Sequence, residues 1–167
     1  MMPAGVLAAL DAEFPFERFN NFFTIAYMII NTATGELRYS NAGHPHSIVM
    51  RKSGKVELLP KGGPAIGTGD FQLLNAQADR FEDGRSRLQP GDKLFVYTDG
   101  IVEYQNRNDE LYGTRRFYET LEALRGESIH DMVEQSIKSL MNFGNNAKPQ
   151  DDITLLGLEL KKIGMKS

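Results

Sequence analysis

Gln89-Pro90-Gly91-Asp92-Lys93-Leu94-Phe95-Val96-Tyr97-Thr98-Asp99-Gly100 reads as a turn, a buried strand and an acidic tip in one continuous stretch. Pro90-Gly91-Asp92 is turn chemistry, which assigns Asp92 to the turn. Lys93 to Tyr97 has the length and apolar character of a strand inside a sheet. Asp99-Gly100 then sits where that strand ends. Some fifty residues on, Asp151-Asp152-Ile153-Thr154-Leu155-Leu156 opens a second apolar segment with paired acids. If the strands at Lys93–Tyr97 and Ile153–Leu160 join one sheet, the two acidic tips converge. Converging carboxylates repel unless a cation lies between them, so the pair reads as part of a hard-metal site.

Toward the N-terminus, Pro3 to Phe14 has helical spacing, with Val6, Leu7, Leu10 and Phe14 on one side. This helix begins at once, as expected of a piece of something longer. Phe22 to Asn31 is rich in β-branched and aromatic residues and reads as a buried strand. Asn31-Thr32-Ala33-Thr34-Gly35 supplies a turn, and Glu36 to Asn41 alternates as its hairpin partner. Ser47–Arg51 and Lys55–Leu59 flank Ser53-Gly54 as a further hairpin. Lys61 to Asp70 is a glycine-rich loop, and Phe71 to Phe81 has no clean period.

Toward the C-terminus the period becomes helical. Thr114 to Arg125 carries Phe117, Leu121 and Leu124, with Gly126 as the stop. A second helix starts at Ser128, with Asp131 three residues on as a variant capping box. Its buried side is Ile129, Met132, Val133, Ile137, Leu140 and Met141. Gly144 ends it. Hairpins followed by a helical pair and a returning strand predict an α+β fold with helices on mostly antiparallel sheets.

Composition narrows the function. The chain has 167 residues, a formal net charge of -3, three histidines and no cysteine. One domain of ordinary size is expected, and no linker divides it. There is no basic excess to bind phosphate backbones, which argues against nucleic acid. Thiolate zinc sites, thiol catalysis and disulfides are excluded. No apolar run is long enough to span a bilayer, and no cationic leader precedes an apolar stretch. A cytoplasmic protein without a membrane partner is expected.

Asp99 has two readings: a metal ligand at a strand end, or an ordinary Asp-Gly turn. Asp151 and Asp152 are either loop acids or a ligand with a neighbour that holds the loop; the first division assigns Asp151 to metal and Asp152 to support. Gly100 lets a cation and its waters approach the backbone. Carboxylates and water suit Mg²⁺ or Mn²⁺. Two such ions can activate a bridging water and offset phosphoryl charge, which points to phosphate ester hydrolysis. His44, in Asn41-Ala42-Gly43-His44-Pro45, is a general acid or phosphate contact, or else simply part of a bend. His46 alternates away from it, and His130 is surface. Gly62-Gly63-Pro64-Ala65-Ile66-Gly67 is a weak phosphate cradle without the lysine and hydroxyl of a P-loop. Glu103 is a solvated acid or an outer acceptor.

Asn41-Ala42-Gly43-His44-Pro45, Leu88-Gln89-Pro90-Gly91-Asp92, Tyr97-Thr98-Asp99-Gly100 and Asp151-Asp152-Ile153-Thr154 occur in the order seen in bacterial PPM-type (type 2C) protein phosphatases. The chain most resembles their SpoIIE-like and RsbU-like branch, over about residues 3 to 160. The resemblance implies an αββα sandwich with a binuclear Mn²⁺ or Mg²⁺ centre. It implies Asp99 and Asp151 as metal ligands, with Gly100 and Asp152 beside them. It also implies phosphoserine or phosphothreonine substrates in regulatory proteins such as anti-anti-sigma factors, and an attached receiver or sensory domain. On this reading residues 1–160 are an N-terminally truncated phosphatase domain and 161–167 a flexible tail. The family's early acidic motif and its Asp-Val-x-Gly-His-Gly stretch are missing here. Early strands would then be absent too, leaving a sheet edge open to homodimer formation. The alternative is a catalytically inactive binding module of the same fold.

Overall fold

The computed structural model describes residues 2–68, 80–145 and 147–162. Its elements run α1 (Pro3–Glu13), α2 (Phe16–Phe19), β1 (Ile25–Ile30), β2 (Glu36–Ala42), β3 (Ser47–Met50), β4 (Val56–Leu59), β5 (Gly62–Gly63), β6 (Gly84–Arg87), β7 (Lys93–Tyr97), α3 (Asp99–Val102), α4 (Gly113–Ala123), α5 (Ile129–Phe143) and β8 (Leu155–Glu159). They form two compact units. Of the described residues, 2–46, 58–68, 80–89 and 162 make the first; 47–57, 90–145 and 147–161 make the second.

In the first unit β2 is the central strand. It pairs antiparallel with β1, Ile25 opposite Ala42 through Ile30 opposite Leu37. It also pairs antiparallel with β6 and, over Asn41 and Ala42, parallel with β5. Helix α1 lays Leu7 onto Ala42, Ile66 and Phe81, with Leu10, Ile25 and Tyr27 around them. Asp83 accepts the Ala4 N–H at 2.9 Å, so a side chain from far along the chain caps the helix that Pro3 starts. Phe14, expected on the buried side of α1, is exposed. It meets Phe19 and Phe23 with ring centroids at 5.2 and 5.7 Å.

Strand β1 is half-buried, with Ile29 exposed, rather than buried. Among the described residues it has a strand on one side only, so its outer backbone groups form an open edge. Strand β6 has no signal in the sequence, because Gly84-Arg85-Ser86-Arg87 carries no apolar residue. Pairing with β2 makes it a strand, and Gly84 is required where the Tyr39 ring crosses it. The glycines of the 62–67 loop serve close packing. A Cβ on Gly62 would overlap the Asn41 carbonyl, and Gly67 has φ of +81° against the Phe14 carbonyl. These contacts account for the glycines without a phosphate. Phe71 to Asp79, together with the neighbouring Gly69 and Asp70, lies outside the described residues, as does most of the 161–167 tail.

The second unit carries a sheet of order β4-β3-β7-β8. Strand β7 pairs antiparallel with β3 and with β8, Lys93 opposite Glu159 through Tyr97 opposite Leu155. The returning strand thus lies directly beside the strand that leads to Asp99. Helices α4 and α5 cover the sheet, burying Phe95, Tyr97, Phe117, Leu121, Met132 and Leu140 in one cluster. Ser128 accepts the Asp131 N–H at 3.1 Å, as the capping pattern predicts. Burial, followed by the Tyr118 hydrogen bond, pushes the Tyr97 phenol well above its ordinary range.

Asp92 is more than a turn former. Its side chain is 3% exposed, pairs with Arg51 at 2.7 Å and accepts the Lys52 N–H at 3.0 Å. Arg51 also holds Glu57, whose carboxyl is lowered to about 2, first by hydrogen bonds from Arg51 and Lys55. A carboxyl depressed in the folded state stabilises fully above its unfolded value of 4.5, and that contribution is lost as pH falls toward about 2. The urea midpoint should therefore decline over that interval. Glu57→Gln should flatten part of the decline, while an unchanged slope would remove Glu57 from the acid response.

Candidate active site

Strand β7 ends at Tyr97, and after Thr98 the chain turns into α3 with Asp99 as its first residue. The strand tip expected there is thus a strand-to-helix junction. Asp99 Oδ1 accepts the Gly100 N–H at 3.1 Å. Asp151 does the same for Asp152, Oδ1 accepting its N–H at 2.7 Å. Each acid fixes its own turn through one oxygen, and both side chains are exposed.

The two acidic segments are bound to each other. Thr98 Oγ1 donates to the Asp152 carbonyl at 2.8 Å and accepts the Thr154 N–H at 2.9 Å. The Thr98 N–H donates to the Thr154 carbonyl at 3.1 Å. Gly100 permits the approach: a Cβ there would stand 2.5 Å from the Asp152 carbonyl oxygen and 3.5 Å from the Asp151 carbonyl carbon. Gly100 therefore keeps the tips close by having no side chain. Asp152 contributes its carbonyl to the junction.

A hollow of about 230 Å³ adjoins this end, lined by Gly100, Glu103, Tyr104, Gln105, Leu111, Gln150 and Asp151. Tyr104 is buried and donates to the Ala147 carbonyl at 2.5 Å. Gln150 Nε2 donates to Gln105 Oε1 at 2.7 Å. A larger hollow, about 540 Å³, lies at the Lys93 end of β7. Two of the cations that line it are already engaged. Arg51 holds Glu57 and Asp92, and Lys93 Nζ donates to the carbonyls of Arg125 and Glu127 at 2.9 and 2.6 Å.

Asp99 and Asp151 offer hard oxygen donors open to solvent, the donor chemistry that Mg²⁺ or Mn²⁺ prefers. Among the described residues no group of three or more His, Cys, Asp or Glu side chains is gathered to hold a metal. A second ion would need donors beyond these.

His44 belongs to the first unit, with Asn41 and Thr24. Asn41 is buried; its Oδ1 accepts the His44 N–H at 2.7 Å and its Nδ2 donates to the His44 carbonyl at 2.6 Å. Gly43 takes the left-handed φ of +65° that this bend needs. The ring Nδ1 shares a hydrogen bond with Thr24 Oγ1 at 3.0 Å. Asn41 was not singled out by the sequence as a functional residue, although it stands just ahead of the Gly-His pair. His130 is exposed, its Nε2 3.8 Å from Glu134, and Glu103 is exposed.

The family model for Stage II sporulation protein E (SpoIIE) matches residues 1–161. This chain belongs to the SpoIIE family. It is 29% identical over 139 residues to Protein IcfG of Synechocystis, covering 82% of this chain and 20% of that protein. It is 32% identical over 88 residues to the phosphoserine phosphatase RsbP of Bacillus subtilis, covering 52% of this chain and 20% of that one. The SpoIIE-family chain thus spans about a fifth of the length of these curated relatives. Among solved structures, the SiaA-PP2C domain of Pseudomonas aeruginosa superimposes with a TM-score of 0.78 at 19% identity, over 95% of this chain and 61% of that one. The RsbU and RsbW domains of Rv1364c from Mycobacterium tuberculosis give 0.74 at 22%, over 95% and 42%. The expected α+β fold of helices and mostly antiparallel sheets is the fold of these PP2C-type domains, and the chain is a SpoIIE/RsbU-like member of the PPM phosphatases. No helix among the described residues is long and apolar enough to cross a membrane.

Proposed function

We propose that this chain is part of a metal-dependent protein serine/threonine phosphatase, a domain occupying residues 1–160. The observation that carries the reading is the tie between the two acidic segments: Thr98 hydrogen-bonds Asp152 and Thr154, so Asp99 and Asp151 are presented at one end of one sheet. Asp99 and Asp151 hold a divalent ion, Mn²⁺ or Mg²⁺. Gly100 keeps their backbones close, and Asp152 fixes the turn that carries Asp151. When bound, such an ion supplies a water of lowered pKa and offsets charge on the phosphoryl group. His44, fixed by Asn41 and Thr24, has a ring suited to proton transfer or phosphate contact.

The substrate in this reading is phosphoserine or phosphothreonine in a bacterial regulatory protein, with an anti-anti-sigma factor as the leading type. The similarity to RsbP, a phosphoserine phosphatase, supports it. A receiver or sensory domain completes the protein, the setting is cytoplasmic, and the open edge of β1 favours self-association.

The test is phosphate release from a phosphoserine peptide with Mn²⁺, repeated with a chelator. Release that needs Mn²⁺ is expected; release that persists after chelation would end the metal mechanism. A second reading has its own support, since only two acids are tied together among the described residues. A binding module of the same fold would show no turnover and no Mn²⁺ uptake in calorimetry.

A further inference from the structure

Two carboxylates in water repel each other, so something must hold Asp99 and Asp151 in register before a cation arrives. The segment 98–105 is bonded to the segment 147–154 at three places. Tyr104 Oη donates to the Ala147 carbonyl, Gln150 Nε2 donates to Gln105 Oε1, and Thr98 Oγ1 bonds both Asp152 and Thr154. The first two bonds lie on the N-terminal side of Asp151. Thr98 alone among these side chains bonds on its C-terminal side, and it alone adjoins Asp99.

From this geometry we infer that Thr98 is the positioning residue of the acidic pair: its hydroxyl, used once as donor and once as acceptor, fixes the distance from the Asp99 junction to the Asp151 turn. The inference rests on the metal reading above for its effect on cation binding, but not for its effect on the turn. Both atoms that Thr98 Oγ1 bonds belong to exposed residues, Asp152 and Thr154. Water can replace the hydroxyl there at little cost to folding, but water does not define a position. Valine has the shape of threonine and neither function; serine keeps both.

Thr98→Val, Thr98→Ser and the unaltered protein are compared by two readouts. The first is hydrogen exchange of the Thr154 amide in metal-free protein. Loss of one hydrogen bond should speed it about fivefold to tenfold in the valine variant. The second is Mn²⁺ affinity from the spin resonance of the free ion. Thr98→Val should weaken it roughly tenfold, the size of effect that supporting residues have on ligated metals, and Thr98→Ser should stay within about threefold. Thermal unfolding should be the same in all three. Unchanged exchange and affinity in Thr98→Val would overturn the assignment, as would a serine variant as impaired as the valine one. If Thr98→Val does not fold, the serine variant decides by the same readouts. Failure of the unaltered protein to take up Mn²⁺ would sink the metal reading instead, and Thr154 exchange would still decide whether Thr98 orders the turn.

Discussion

Asp99→Asn should weaken Mn²⁺ binding by at least ~100-fold while leaving the fold in place. Residues that merely support a metal ligand already account for about 10–100-fold in affinity, so a direct carboxylate should exceed that range. The fold is insulated from the change for a local reason. In the free protein Asp99 uses Oδ1 to accept the Gly100 N–H, and an asparagine carbonyl can accept it as well. The side chain is exposed, so no buried partner is orphaned. Removing one of two neighbouring negative charges also relieves repulsion with Asp151, so the variant should unfold at the same temperature or slightly higher. Titration calorimetry with Mn²⁺ and thermal unfolding on the same samples check both halves. Undiminished affinity would remove Asp99 from the site.

The second large effect concerns stability. Asp92→Ala should cost about 3 kcal/mol, the lower end of what breaking a buried ion pair costs. Its carboxylate is 3% exposed, bonded to Arg51 at 2.7 Å and to the Lys52 N–H at 3.0 Å. Truncation leaves that N–H short of an acceptor and opens space beside a guanidinium. The lower end is expected because Glu57 still holds Arg51. Asp92→Asn should be milder, since an amide oxygen can keep the Lys52 bond. Urea unfolding measures both, and a loss under about 1 kcal/mol for alanine would mean the pair carries little.

Strand β7 and its acidic end were readable because each signal is local: turn residues, an apolar run, then Asp-Gly. The helix cap at Ser128 was readable for the same reason. Asp92 was misread because Pro-Gly-Asp is a turn signature, while its main partner, Arg51, lies far away in sequence and becomes its neighbour only when β3 pairs with β7. Strand β6 was invisible because Gly84-Arg85-Ser86-Arg87 becomes a strand only through β2. The short helix at Asp99 was missed because one turn of helix after a strand has no period to detect. For the candidate site, both acids, Gly100 and Asp152 stood out by residue type. Thr98 and Asn41 did not, because their roles lie in bonds to residues on other strands and turns.

Among the described residues the outer flank of β1 presents amides and carbonyls in alternation, with no strand against them. Its sequence, Ile25-Ala26-Tyr27-Met28-Ile29-Ile30, contains neither the lysine nor the proline that would turn a visitor away. An extended stretch of polypeptide arriving there would find its bonding pattern already laid out. It would lengthen the sheet by one strand.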